Sequence, residues 1–228
     1  MNKRKIILLA AALVMVAVLG IGGTLAYFTD EDTKTNVFTV GNVDIHIDEW
    51  MEDENGEWVE YEDQELHPIA QNKTKFNKLV ETVNDGSEDA YIRTFVTCPK
   101  DMYDYLGLGF NKQDRVLTNN AGNNMYSLTS WKDVGTFIIN GEETSVFLCE
   151  YEGIVKEGES VLSLTKVWLY ENVDNEQVAD FDLENGAFKV AVASQAIQAE
   201  NLTYDEAMAQ LGAIDQALMD KLFPAEAN

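Results

Sequence analysis

Residues that could support catalysis are few in this chain of 228 residues, which holds two histidines and two cysteines. His46 lies in an alternating, strand-like stretch and His67 precedes Pro68, and neither has a partner at the spacing of a metal-binding motif. The sequence holds no His-Glu-x-x-His or Gly-x-Ser-x-Gly pattern and no glycine-rich phosphate loop. We therefore predict no catalytic residues and no enzymatic activity, and we expect both histidines to be ordinary surface residues.

The densest group of possible cation ligands lies between Asp48 and Glu65, where ten of 18 residues are Asp or Glu. A solvated hairpin with Asn55-Gly56 at its tip is the favoured interpretation. The alternative is a weak calcium site formed by Asp53, Asn55 and Glu57. This site lacks the alternating ligands and the closing bidentate Glu of a calcium loop. We expect no other cofactor.

The two cysteines, Cys98 and Cys149, each end an apolar strand-like run. They could therefore be neighbours on adjacent strands, and a disulfide is chemically possible wherever a chain leaves the reducing cytoplasm. A bridge closing a loop of roughly 50 residues would contribute about 4 kcal/mol on the chain-entropy model. Two buried free thiols are the alternative.

The N-terminus carries the pattern of an export signal. Lys3, Arg4 and Lys5 precede an apolar run over Ile6–Leu19, and small residues stand at Thr24 and Ala26. This order predicts a signal peptide over residues 1–26, cleaved by a signal peptidase between Ala26 and Tyr27. A retained membrane anchor is the alternative, because the apolar run approaches the length of a spanning helix. The signal predicts a secreted protein of the extracellular matrix or cell surface, with membrane contact only through an uncleaved signal.

The charge of the chain limits its partners. Its formal net charge is −24, and residues 1–26 hold three of the 16 basic residues but none of the 40 acidic ones. The remaining chain is thus even more acidic, which repels nucleic acid and anionic lipid. We predict no nucleic-acid partner.

A period of two dominates the sequence after the signal. In Val43–Asp48, apolar residues alternate with polar ones, as in a strand with one wet face. Turn signals separate further runs of this kind, and crossover helices are not evident. These runs are Thr74–Thr82, Ala90–Cys98, Tyr126–Trp131, Gly135–Ile139, Ser145–Tyr151, Val161–Tyr170 and Ala187–Ala199. The pattern predicts an all-β, antiparallel β-sandwich.

Two helical segments accompany the predicted strands. Pro99–Leu106 reads as a short helix opened by proline. Thr203–Phe223 reads as one amphipathic helix with a capping box between Thr203 and Glu206, and we expect it to pack on the edge of the sandwich. The predicted organisation is a signal over 1–26, an N-terminal donor strand or first strand over 27–39, a sandwich over 40–201 and a C-terminal helix over 202–224.

Three stretches resemble the TasA–camelysin family, secreted proteins of Gram-positive bacteria. The stretches are Gly23–Asp30 with Asn36–Ile45, Lys75–Ser87 with Ala90–Arg93, and Ala193–Asn201. The resemblance implies a jelly-roll sandwich, a signal removed by a dedicated signal peptidase, and fibres of the biofilm matrix. It also implies that the N-terminal segment of one subunit completes a sheet of the next, a form of strand addition.

On this resemblance the chain would be its own partner in a head-to-tail fibre, with Tyr27, Phe28, Val37 and Phe38 as the anchors of the assembly strand. The alternative is that Tyr27–Thr39 is the first strand of its own sheet. Two other functions stay open: a surface module that binds sugar or protein near Trp50 and Trp58, and a camelysin-like metallopeptidase. Because the chain is so acidic, we expect salt, divalent cations or low pH to promote assembly.

Overall fold

The structure is a computed structural model that describes residues 31–33, 36–40, 43–53, 55–61, 78–109, 117–119, 121–170 and 190–225. The predicted signal peptide, its cleavage site at Ala26 and Tyr27, the anchor Phe28 and His67 lie outside the described residues. Within the described part of the chain, no helix is long and apolar enough to cross a membrane.

Sheet A is the first of two six-stranded sheets and has the strand order β1-β2-β14-β6-β11-β10. Its strands are β1 (Glu31–Thr33), β2 (Asn36–Val40), β6 (Ala90–Pro99), β10 (Ser130–Ile139), β11 (Glu142–Glu150) and β14 (Val192–Gln198). The strands β10 and β11 form a hairpin whose turn residues Asn140 and Gly141 both have positive φ, as expected for an Asn-Gly turn.

Sheet B has the strand order β4-β3-β5-β12-β9-β8. Its strands are β3 (Ile45–Glu52), β4 (Trp58–Glu60), β5 (Lys78–Asn84), β8 (Leu117–Thr118), β9 (Asn124–Ser127) and β12 (Ser160–Leu164). A separate pair joins β7 (Leu106–Gly109) to β13 (Lys166–Leu169). In this pair Trp168 lies over Gly107, where a Cβ would stand 2.1 Å from the indole.

The main core lies between the two sheets. It contains Val43, which precedes β3, with Ile45 and Val80 of sheet B against Ile92 and Val96 of sheet A, all nearly inaccessible to solvent. Every residue from Ala90 to Cys98 is buried, because the inner side of β6 faces sheet B and its outer side faces the C-terminal helices. This arrangement confirms the predicted all-β sandwich.

Two strand pairs depart from the predicted antiparallel pattern. Strand β2 runs parallel to β14, and β9 runs parallel to β12. In addition, the run Val161–Tyr170 is two strands, since the chain leaves sheet B at Leu164 and joins β7 from Lys166. Periodicity alone could not find this change of sheet, because both strands alternate with the same period.

The helices also differ from the prediction. Pro99–Leu106 holds only a single 3₁₀ turn, Lys100–Met102, since Leu106 already pairs in β7. The C-terminal segment is two helices, α1 (Tyr204–Leu211) and α2 (Gln216–Leu222). The chain breaks at Gly212, whose φ of 85° suits glycine, and a new helix begins after Asp215, whose side chain accepts a hydrogen bond from Leu218 N.

The predicted capping box is present at the start of α1: Thr203 Oγ1 accepts from Glu206 N, and the Glu206 carboxylate accepts from Thr203 N. However, α1 and α2 cover the outer face of sheet A rather than the edge of the sandwich. Met219, Leu222 and Phe223 pack on Phe95 and Ala193. The apolar stripe predicted from the sequence is thus correct, whereas its docking position was not.

Candidate assembly site

The strand predicted to drive assembly lies in sheet A of its own chain in this structure. Strand β2 pairs on one side with β1 and on the other with β14, with Val37 opposite Ser194, Phe38 opposite Gln195 and Thr39 opposite Ala196. Its partner β14 is close to the other end of the chain. A long-range parallel pair of this kind can equally be formed by the same segment of a second chain, because no tight turn joins the two strands.

The inner side of β14 fixes the register of this strand against β6 and sheet B. Ser194 Oγ lies 2.7 Å from Thr82 Oγ1 and 2.8 Å from Thr94 Oγ1, and all three residues are almost fully buried. These hydroxyls satisfy one another between the sheets. Sliding β14 by one residue would turn Ser194 away from its partners and leave polar groups unpaired in the core. A strand added to β14 therefore meets a sheet edge with a fixed register.

The outer side of β14 is tied to α1 through Arg93 of β6, which is 3% exposed. Arg93 Nε donates to Gln195 Oε1 at 2.8 Å, while its terminal nitrogens donate to Leu211 O and Gly212 O at 3.0 and 3.2 Å. Burial lowers the pKa of Arg93 to about 10, so the guanidinium still carries its charge at neutral pH. The charge lies at the C-terminal end of α1, where helix carbonyls favour a cation.

Helix α2 connects the two ends of sheet A. It packs against β2 at one end of the sheet and against β10 at the other. At β10, Gln216 binds both backbone groups of Ile138. Met219 and Leu222 anchor the helix in between and are fully buried. Each such side chain contributes about 1.5–3 kcal/mol through burial.

The acidic region is a hairpin, as predicted, formed by β3 and β4. The candidate ligands are already used to hold its turn: Asp53 Oδ1 accepts from Asn55 N and Glu57 N at 2.8 Å, and Asp53 Oδ2 accepts from Asn55 Nδ2. These bonds, with that from Glu57 N the strongest, lower the pKa of Asp53. A carboxylate that closes its own turn in this way needs no calcium ion to explain its position.

The possible disulfide between Cys98 and Cys149 is not formed, and both are buried free thiols. The cysteines do lie on adjacent strands, β6 and β11, as predicted. However, Cys98 is opposite Ser145, while Cys149 is opposite Thr94. They are thus four register positions apart, roughly 13 Å at the rise of a strand, which is beyond the span of a disulfide. Burial raises the pKa of Cys98 to about 12 and that of Cys149 well above its ordinary value.

His46, on the outer face of sheet B, makes contacts with two carboxylates that the sequence did not predict. His46 Nδ1 contacts the Asp85 carboxylate, and His46 Nε2 lies 3.1 Å from Asp48 Oδ2. Burial lowers the pKa of His46, but the hydrogen bond to Asp85 and the two carboxylate charges outweigh it, so the net pKa is raised. Asp85 is far from His46 in sequence, so spacing could not reveal the pair.

Glu81 is 2% exposed, accepts hydrogen bonds from Ser160 Oγ and Trp50 Nε1, and has a pKa raised by burial. Trp50 is thus engaged with Glu81, whereas Trp58 at the hairpin is 44% exposed. Among the residues that the structure describes, no group of three His, Cys, Asp or Glu side chains is placed to hold a metal ion. The buried carboxyl could not be inferred from a sequence in which acids are so abundant.

Comparison with known families finds a match at the N-terminus. Residues 2–54 match a family model described as camelysin metallo-endopeptidase, a stretch that includes the predicted signal and strands β1, β2 and β3. Comparison with curated proteins gives no match. Over residues 2–54 the chain is therefore similar to the camelysin family, as the residues at this end of the sequence predicted.

Proposed function

We propose that this chain is an exported structural protein of the cell surface or biofilm matrix, and that it assembles into fibres by exchange of its N-terminal strand. The observation that carries the proposal is the parallel pairing of β2 with the remote strand β14. In the fibre, β2 of one copy would lie on β14 of the next, making the contacts that it makes here within one chain. The resemblance of Gly23–Asp30 and Asn36–Ile45 to the TasA–camelysin family implies the same role, and the family match spans this strand.

Head-to-tail contacts of this kind do not close, so they extend into filaments. Export would keep assembly outside the cell, because the signal blocks the N-terminal segment until a signal peptidase removes it. The net charge of −24 opposes contact between copies. We therefore expect salt, divalent cations or low pH to promote filaments by screening or neutralising the carboxylates.

Negative-stain electron microscopy tests the proposal. The chain Tyr27–Asn228 is compared with a chain that starts at Val40, with and without salt or calcium, and circular dichroism checks that both are folded. We expect filaments from the first chain and none from the second, and capping of the second by a Tyr27–Thr39 peptide. Single particles from both chains in every condition would rule out self-assembly.

The description of the matched family favours a second candidate, a metallo-endopeptidase. Its test is cleavage of an unstructured protein substrate by the purified chain after zinc loading, with a chelator as the control. Chelator-sensitive cleavage would establish this activity. The exposed Trp58 favours a third candidate, a binding module, which a carbohydrate titration monitored by tryptophan fluorescence would detect.

A further inference from the structure

Among the strands that the structure describes, β10 is the last of sheet A on the side away from β2, and a side chain closes its outer edge. Ile138 N donates to Gln216 Oε1 at 3.0 Å, and Gln216 Nε2 donates to Ile138 O at 2.7 Å. One carboxamide thus occupies both backbone groups of an edge residue, as the peptide group of a neighbouring strand would do.

The orientation of this carboxamide is fixed from the helix side. Gln216 Nε2 also donates to Asp220 Oδ1 at 2.7 Å, one turn further along α2. A carboxylate accepts hydrogen bonds only, so this contact requires the nitrogen of the carboxamide to face both Asp220 and Ile138 O. The contact is therefore a built feature of α2 rather than the free placement of an exposed glutamine.

The strand that Gln216 covers has the properties of a pairing edge. Val134–Ile139 carries no charge and no proline in a chain with a net charge of −24, and β-branched and aromatic residues dominate it. The side chain of Ile138 is 49% exposed. The backbone groups of Thr136 face the same side as those of Ile138, because alternate residues of an antiparallel strand share a side.

A β-bulge interrupts the first half of the outer edge of β10. The register between β10 and β11 shifts between Asp133 and Gly135, and Gly135 N donates to Asp133 Oδ1 at 2.8 Å. Such a bulge twists an edge strand and interrupts pairing. Only the uncharged half after the bulge remains suited to pairing, and Gln216 lies on that half.

We propose that the outer edge of β10 is a site for strand pairing with a second copy of this chain, and that Gln216 holds the site closed. The occupant is a second copy because two strongly acidic chains can approach each other most easily where each presents an uncharged segment. Antiparallel pairing of two β10 edges is symmetric and closes at a dimer. The site is separate from that of the β2 exchange, since it lies at the opposite end of sheet A.

The test compares Gln216→Ala with Gln210→Ala, an exposed glutamine on α1 that serves as the matched control. Both are made in the full chain with the added pair Thr39→Cys and Ala196→Cys, whose oxidation joins β2 to β14 across partnered positions. This bridge keeps β2 in its own sheet, so that fibre assembly does not contribute to the result. The readouts are amide hydrogen exchange at Ile138 and molar mass by light scattering over a range of concentrations.

At low concentration, where the chain is monomeric, we expect the Ile138 amide to exchange about tenfold faster in Gln216→Ala, as for loss of one hydrogen bond. We expect the mass to double as the concentration rises. Gln210→Ala should leave both unchanged. Adding Ile138→Lys to Gln216→Ala should restore the monomer, because a lysine on an edge opposes pairing. An unchanged exchange rate, a mass that stays monomeric despite faster exchange, or dimers that persist with Ile138→Lys would each overturn the proposal.

Discussion

The two ends of sheet A are completed in opposite ways. At one end, β10 is tied to β11 by the two-residue turn Asn140-Gly141, and Gln216 covers its outer backbone groups. At the other end, β1 and β2 pair with each other, and β2 lies on β14 without a short connection to it. A strand held by a hairpin cannot leave without its neighbour, whereas a strand from a remote part of the chain can be replaced by a copy of itself. One sheet can thus have a closed edge and an exchangeable one.

The largest loss of stability is expected from Leu222→Ala, because α2 packs against strands at both ends of sheet A. The residue is fully buried against Phe95 and its neighbours, and truncation should lower the free energy of unfolding by about 2–5 kcal/mol. Denaturant unfolding measures the loss, and hydrogen exchange should show both β10 and β14 loosened. The control is Ile154→Ala, at a residue 40% exposed, which should cost far less. If hydrogen exchange became faster in only one of these two strands, α2 would not support both ends of sheet A.

Arg93→Lys weakens the contacts that hold β14, the strand on which β2 lies. A lysine cannot reach Gln195, Leu211 O and Gly212 O together, so the free energy of unfolding should fall by about 2 kcal/mol. Hydrogen exchange should rise in β14 and α1 while β10 keeps its protection. Lys100→Arg, at an exposed cation, is the control. Equal loss of protection at β10 would show that the two ends are not independent.

Glu150→Gln weakens the contacts that hold the start of β10. Glu150 accepts from Ser130, Lys132 and Tyr204, joining the start of β10 to α1. Burial raises the pKa of Glu150, but these hydrogen bonds together outweigh it and leave the net pKa below its ordinary value of 4.5. Its stabilising effect is therefore present above pH 4.5 and is lost as pH falls through the lowered pKa.

The substitution Glu150→Gln should cost about 1.5 kcal/mol at neutral pH. It should also remove part of the acid dependence of unfolding, measured by denaturation between pH 3 and pH 7. Glu143→Gln, at an exposed position of the same strand, should leave that dependence unchanged. An identical pH profile for Glu150→Gln and the unmodified chain would refute the role of this carboxylate.

The smallest loss of stability is expected from Gly141→Ala, in the turn that joins β10 to β11. Gly141 has a φ of 88°, and a side chain there should cost about 1 kcal/mol. Space is not the cause, because nothing lies within 4 Å of the added Cβ. Thermal unfolding measures the change. Gly153→Ala is unsuitable as a control, because its Cβ would stand 2.4 Å from the Tyr151 ring. Filament formation through β2 should persist in Gly141→Ala.

The alternation of polar and apolar residues was sufficient to predict the sandwich and several of its strands. It located Ala90–Cys98 within β6 and Ser145–Tyr151 near β11. The parallel partner of β2 could not be predicted in this way. Alternation says which side of a strand is buried, but it does not say which strand lies beside it.

The side-chain contacts that support the strands of the candidate site could not be predicted from the sequence either. Arg93 and Glu81 look like surface residues by type, and they are buried because hydrogen-bond partners from distant segments satisfy them. Gln216 lies in a helix that the sequence predicted, yet its contact with Ile138 depends on where that helix docks. The break at Gly212 allows this docking, and glycine in a helical pattern is an ambiguous signal.

Cross-linking of two single variants tests the central claim most directly. Thr39→Cys and Ala196→Cys are purified separately, mixed under conditions that favour filaments, and oxidised. The native thiols are buried and should not react. Strand exchange predicts covalent dimers of the two variants, and none when Val192→Cys, four positions along β14, replaces Ala196→Cys. If the mixture gave no dimers while the double variant closed its bridge within one chain, β2 would belong to its own sheet and the exchange account would be wrong.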